Sequence, residues 1–68
     1  MYGHIRITIP GLTYVIPTNE SEAIYDTMTL QGYEHDEAAS VASWAPFAAI
    51  GEEYELDEGP VTQIIISE

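Results

Sequence analysis

The sequence contains no cysteine and no lysine, and Arg6 is its single basic residue besides two histidines. Without cysteine, neither a disulfide framework nor a thiolate zinc site is available, so packing alone has to hold the fold, and cysteine usage says nothing about the redox compartment. One Arg against twelve Asp and Glu gives a formal net charge of −11. A field of that sign repels nucleic acid and anionic lipid, which argues against direct binding to either. Also missing is any apolar run near the roughly 20 residues that span a bilayer. No basic segment leads into an apolar stretch at the N-terminus. A soluble protein in the cytoplasm, with no membrane partner, is expected.

Sixty-eight residues allow one domain, residues 1–68, whose core supplies only about 3 to 5 kcal/mol of net stability. A deep, dry active site is not expected in so small a chain. The composition is nevertheless 46% hydrophobic, with five Tyr, one Trp and one Phe, too apolar and aromatic for a disordered acidic tail.

Hydrophobic periodicity supplies the element order. His4 to Ile9 alternates, with Ile5, Ile7 and Ile9 on one face and His4, Arg6 and Thr8 on the other, the pattern of a half-buried strand. Pro10-Gly11 is a turn dipeptide, and Leu12, Tyr14 and Ile16 resume the alternation until Pro17, which predicts a tight hairpin. Thr18 and Asn19 are good helix caps, and Asn19 with Glu22 approximates a capping box. A first helix is expected over about residues 20–31, with Gly32 as its left-handed stop. Asp36 is placed to cap a second helix, Glu37 to Trp44, with Ala38, Val41, Ala42 and Ala45 as its apolar stripe; Pro46 ends or kinks it. Phe47 to Ile50 form an apolar connection closed by Gly51. From Glu52 the period returns to two, Tyr54 and Leu56 alternating with Glu53, Glu55 and Asp57. A turn over Asp57-Glu58-Gly59-Pro60 then leads into a buried strand from Val61 to Ser67. The simplest solution is a two-layer α+β domain. It has an antiparallel sheet of three to four strands with two helices on one face, in the order β-β-α-α-β(-β).

Catalytic and metal signatures are weak. Ser40 or Ser43 with His35 and Asp36 supplies the residue types of a triad without a nucleophile elbow. The carboxylates cluster in wet, polar runs and not in the apolar pocket that a paired-carboxylate hydrolase needs. The glycines are scattered, and Pro60 after Gly59 removes an amide that a phosphate-cradling loop would use. Neither His35-Asp36-Glu37 nor Asp57-Glu58-Gly59 has zinc or EF-hand spacing, so no metal and no cofactor is called for. His35 is read as an exposed helix-start residue whose acidic neighbours favour the helix N-terminus. His4 and Arg6 are either a solvated strand face or partners of an acidic strand.

The acidic residues form three clusters. Glu52, Glu53, Glu55, Asp57 and Glu58 make the first; on an extended strand Glu53, Glu55 and Asp57 project from one face about 6.6 Å apart. That spacing is of the order of the phosphate repeat of nucleic acid, about 3.4 Å along each strand. Glu22 and Asp26 sit four apart on the first helix, and Glu34, Asp36 and Glu37 bunch between the helices. Any one cluster suits an ordinary wet surface. A magnitude of about 2 to 8 suffices for solubility, however, and this chain exceeds it. A halophile's acidic excess would favour Asp, whereas here nine Glu stand against three Asp. Self-repulsion also sets an expected outcome: raising NaCl from low to moderate concentration raises the melting temperature, and a fall would contradict it.

In size, charge, lack of cysteine and β-β-α-α-β order, the chain resembles the small acidic anti-CRISPR and other anti-defence proteins of phages and mobile elements, several of which mimic nucleic acid. The resemblance covers the whole chain in general character and carries over no individual residue. It implies a non-catalytic inhibitor in the host cytoplasm that fills a Lys- and Arg-rich nucleic-acid channel of a host complex. Glu52, Glu53, Glu55, Asp57 and Glu58 would be its principal face, and Glu22, Asp26, Glu34, Asp36 and Glu37 secondary contacts. Tyr14, Tyr25, Tyr33, Tyr54 or Trp44 are candidates for an aromatic anchor, although in so small a domain aromatic residues more often belong to the core, and a monomer is favoured. The alternative is a small adaptor that binds one protein through a sheet edge or the apolar stretch Trp44 to Phe47, its acidity serving solubility alone.

Overall fold

The alternating run His4–Ile9 becomes the central strand, β1, of a three-stranded antiparallel sheet. The structure, a computed structural model, describes residues 3–68. β1 is followed by β2 (Leu12–Pro17), α1 (Ser21–Leu30), α2 (His35–Trp44), one 3₁₀ turn (Ala45–Phe47) and β3 (Gln63–Ser67). The sheet order is β2-β1-β3, so this is the expected α+β domain with the order β-β-α-α-β.

The two-residue Pro10-Gly11 turn fixes the hairpin register at Ile9 opposite Leu12 and, further along, Ile5 opposite Ile16. On its other side β1 sets Ile5 against Ile66 and Ile7 against Ile64. These four isoleucines line one face of the sheet and are essentially inaccessible to solvent. Ile24 and Met28 of α1 and Ala38, Val41 and Ala42 of α2 close over them in a single core, with Ala45 and Val61. Small residues on α2 let the second helix approach closely. Ser21 Oγ donates to the Ala42 carbonyl at 3.1 Å, tying the start of α1 to α2.

α1 stops where the sequence indicates. Gly32 has φ +95°, its N–H reaches the Thr29 carbonyl at 3.0 Å, and the Tyr33 N–H reaches that of Met28 at 3.3 Å. Together these bonds make a Schellman motif. The starts of the helices differ from expectation. Neither Asn19 nor Asp36 caps a helix: the N-cap positions are Glu20 and Glu34, and neither has a side-chain capping bond. Thr18 is buried with its N–H on the Gly3 carbonyl, and Glu20 N–H closes a turn onto Pro17, so residues 17–20 belong to the end of the hairpin and α1 begins after them. Asp36 lies inside the first turn of α2, where its charge still opposes the positive end of the helix dipole.

A fourth strand over Glu52–Asp57 does not form. The segment touches β3 through one bridge, Glu53 to Ile65. Two hydrogen bonds flank it, Ile66 N–H to the Glu52 carbonyl at 2.9 Å and Tyr54 N–H to that of Ile64 at 3.0 Å. Gly51, φ +92°, also donates to the Ile66 carbonyl, so two residues oppose one in a β-bulge. Beyond Tyr54 the ladder is lost because Thr62 turns the other way: its N–H and its hydroxyl both reach the Thr8 carbonyl of β1, at 2.7 and 3.0 Å. The alternation survives without the ladder. Tyr54 and Leu56 pack on the core, and Glu53, Glu55 and Asp57 are exposed.

Candidate functional site

One phenol organises the acidic end of the molecule. Tyr33, the residue after the Schellman glycine, donates its hydroxyl to the Glu58 carbonyl at 3.0 Å and accepts the Val61 N–H at 3.2 Å. These two bonds stand where the cross-strand pair of a closed hairpin would have been. They hold the Asp57–Pro60 turn against the connection between the helices, two parts of the chain about 25 residues apart. Gly59 has φ +103° and closely approaches the Tyr33 side chain; a Cβ there would fall inside van der Waals contact of the Tyr33 Oη, Cζ and Cε1 atoms.

Two hollows flank this joint. A cleft of about 330 Å³ separates Glu53–Asp57 from Val61–Ile64, and Glu53, Glu55 and Asp57 line one wall of it. A shallower groove of about 650 Å³ is lined by Gly32, Tyr33, Glu34, Asp36, Glu37, Asp57, Glu58 and Gly59. Asp57 belongs to both. The two clusters the sequence shows apart, Glu34-Asp36-Glu37 and Glu53-Glu55-Asp57-Glu58, therefore line adjoining hollows that share Asp57, a band of seven acidic residues. Neighbours about 6.6 Å apart repel by roughly 0.6 kcal/mol in water, which is why salt should stabilise the fold.

The remaining expected contacts lie elsewhere. Glu22 and Asp26 are exposed on α1 and line neither hollow. Glu52 is exposed, and its Oε2 accepts the Ala49 N–H at 3.1 Å, closing the turn before the bulge. Arg6 pairs across the sheet with Val15 on one side and Ile65 on the other, and Ile65 in turn bridges Glu53, so the cation lies two strand positions from the acidic edge. His35 Nδ1 is hydrogen-bonded to Tyr25 Oη at 2.6 Å, and Ser40 Oγ donates to the Asp36 carbonyl, so these residues do not assemble a triad. Among the described residues no three His, Asp or Glu are gathered so as to hold a metal ion.

The aromatic side chains take the commoner of their two expected places, the core. Tyr14, Tyr25, Tyr33, Tyr54 and Trp44 are all partly buried against the core, and Trp44 meets Tyr54 edge-to-face at 5.3 Å. Among the described residues the exposed aromatic is Phe47, 91% accessible, with Ile50, three residues on, 55% accessible.

No protein-family model, curated protein or solved structure matches the chain. Among the described residues no helix is long and apolar enough to cross a membrane. Sequence reasoning missed Tyr33 and Gly59 as the parts that shape the band, although Gly59 at the end of an acidic turn was the available signal.

Proposed function

We propose that this protein is a non-catalytic inhibitor that uses its carboxylate band to occupy a basic nucleic-acid-binding surface of a host complex, of the anti-defence kind that its size and charge resemble. The observation that carries this is the convergence of Glu34, Asp36, Glu37, Glu53, Glu55, Asp57 and Glu58 around the Tyr33 joint. Ordinary solubility requires no such gathering, because like charges repel and spread surfaces are cheaper. A Lys- and Arg-lined channel evolved for phosphates relieves that repulsion, and its long-range field speeds encounter. The test is capture from host lysate on the immobilised protein, eluted by a salt gradient with and without competing nucleic acid. A nucleic-acid-binding complex released by salt and displaced by nucleic acid is expected. A partner that survives both treatments overturns the proposal.

Phe47 favours a second reading, that of an adaptor. Pro46 and the Ala48 N–H to Ala45 carbonyl bond hold this aromatic side chain in a short 3₁₀ turn, facing solvent at 91% exposure. A backbone already held in its turn leaves less to order on binding, and an exposed aromatic suits an interface anchor. If the adaptor reading holds, Phe47→Ser abolishes capture of the partner and leaves the melting temperature unchanged, while moderate salt has little effect.

A further inference from the structure

The two edges of the sheet are unlike. The outer edge of β3 is partly covered by Gly51–Tyr54, but among the described residues no strand lies beyond β2. The parity of the ladder shows which backbone groups that edge offers. The Thr18 N–H bonds the Gly3 carbonyl, so in the same register Ile5 with Ile16, Ile7 with Tyr14 and Ile9 with Leu12 exchange hydrogen bonds. The N–H and C=O of Thr13 and Val15 therefore point away from β1. The Pro17 carbonyl, next in the series, already accepts Glu20 N–H. Leu12 and Val15 beside these groups are 50% and 52% exposed.

We infer that β2 is a self-association edge whose occupant is β2 of a second copy of this chain. Charge and strand geometry together select that occupant. Residues 7–19, 38–51 and 59–67 carry no charge, and of these stretches the first holds the sheet edge that Gly51–Tyr54 does not cover, so two copies approach along it without setting acid against acid. An antiparallel edge is also self-complementary about a two-fold axis. With Tyr14 facing its own copy, Thr13 and Val15 of each chain pair with Val15 and Thr13 of the other. The four resulting hydrogen bonds join two sheets into one of six strands. In that register Leu12 comes opposite Ile16 of the other copy on the inner face. The contact is short, so association is weak, and because each copy carries a charge of −11 it strengthens with salt.

Sedimentation equilibrium from micromolar to millimolar protein, in low and moderate NaCl, tests this together with amide exchange by NMR. A monomer–dimer equilibrium that tightens with salt is expected, with the Thr13 and Val15 amides exchanging more slowly as protein concentration rises. Val15→Pro removes an outward N–H that the β1–β2 ladder does not use. It should weaken the dimer at least about tenfold, which is about 1.4 kcal/mol, whereas Val15→Thr should leave it intact. If Val15→Pro unfolds the domain, Val15→Glu is the substitute, since it faces Arg6 across the ladder and adds repulsion at the axis. A monomer throughout at moderate salt, dimerisation indifferent to both Val15→Pro and Val15→Glu, or Thr13 and Val15 exchange independent of concentration overturns the inference. Binding of an unrelated strand by a protein that stays monomeric overturns it as well.

Discussion

Gly59→Ala is expected to lower the melting temperature by more than about 10 °C and to leave much of the protein unfolded at room temperature. Two costs combine. An alanine at φ +103° sits in a region that L-residues avoid by about 1 to 2 kcal/mol. Its Cβ also overlaps the Tyr33 ring, so the phenol must leave, with the loss of its bonds to the Glu58 carbonyl and the Val61 N–H. Each such bond contributes about 1 kcal/mol, more where the partner is left buried and unpaired. The sum, about 3 to 4 kcal/mol, is comparable to the whole net stability of a domain this small, roughly 3 to 5 kcal/mol. One kcal/mol moves the midpoint of such a domain by about 4 to 8 °C. Tyr33→Phe keeps the ring and loses only the bonds, so it should cost about 1 to 2 kcal/mol. In a double-mutant cycle with Tyr33→Ala, much of the Gly59→Ala cost should vanish, because the overlap is gone. Chemical denaturation of the four proteins measures this; additive effects, or a Gly59→Ala midpoint within a few degrees of the parent, would sink the assigned role of the Tyr33 joint.

The parts of the fold that were legible in the sequence are those in which local period and burial agree. Ile5 and Ile7 alternate with His4 and Arg6 because one face of β1 meets the helices, and Ala38, Val41 and Ala42 recur at helical spacing for the same reason. Asn19 carried a sound local signal for a cap, but the Thr18 bond to Gly3, closed across the hairpin, outweighed it. Glu53 to Asp57 shows the limit of period-two patterning. Alternating burial requires only that the segment lie against an edge with Tyr54 and Leu56 turned inward, and does not require a ladder. Whether hydrogen bonds followed depended on Thr62, whose choice of the Thr8 carbonyl is a tertiary matter.

The acidic residues were individually visible, but their grouping was not. Composition could not place Glu34, Asp36 and Glu37 beside Asp57 and Glu58, because the contact that joins them is a single tyrosine hydroxyl acting across a long loop. Glu22 and Asp26 looked like equivalent contacts in the sequence and are not part of the band. That separation makes them a control. Removing a given number of charges should affect binding very differently according to where they are removed.

Glu53, Glu55 and Asp57 changed together to Gln, Gln and Asn should therefore weaken binding to the complex recovered by capture about a hundredfold at moderate salt. The charge-matched variant Glu20→Gln, Glu22→Gln, Asp26→Asn should weaken it less than about threefold. Three contacts to a basic channel at about 1 kcal/mol each give about 3 kcal/mol, and every 1.4 kcal/mol is a factor of ten. Charges outside the contact act only through the general field, which is screened beyond about 8 Å at physiological ionic strength. The band variant should fold at least as well as the parent, since it relieves self-repulsion, while the control trades that relief against the helix-dipole stabilisation that Glu20 and Glu22 give the start of α1. Binding constants and melting temperatures for the pair separate the two accounts of the acidity. Equal losses of affinity would mean that only net charge matters and the band is not a site. No loss in either variant, with Phe47→Ser inactive, would move the binding surface to the apolar turn and leave the carboxylates with solubility alone.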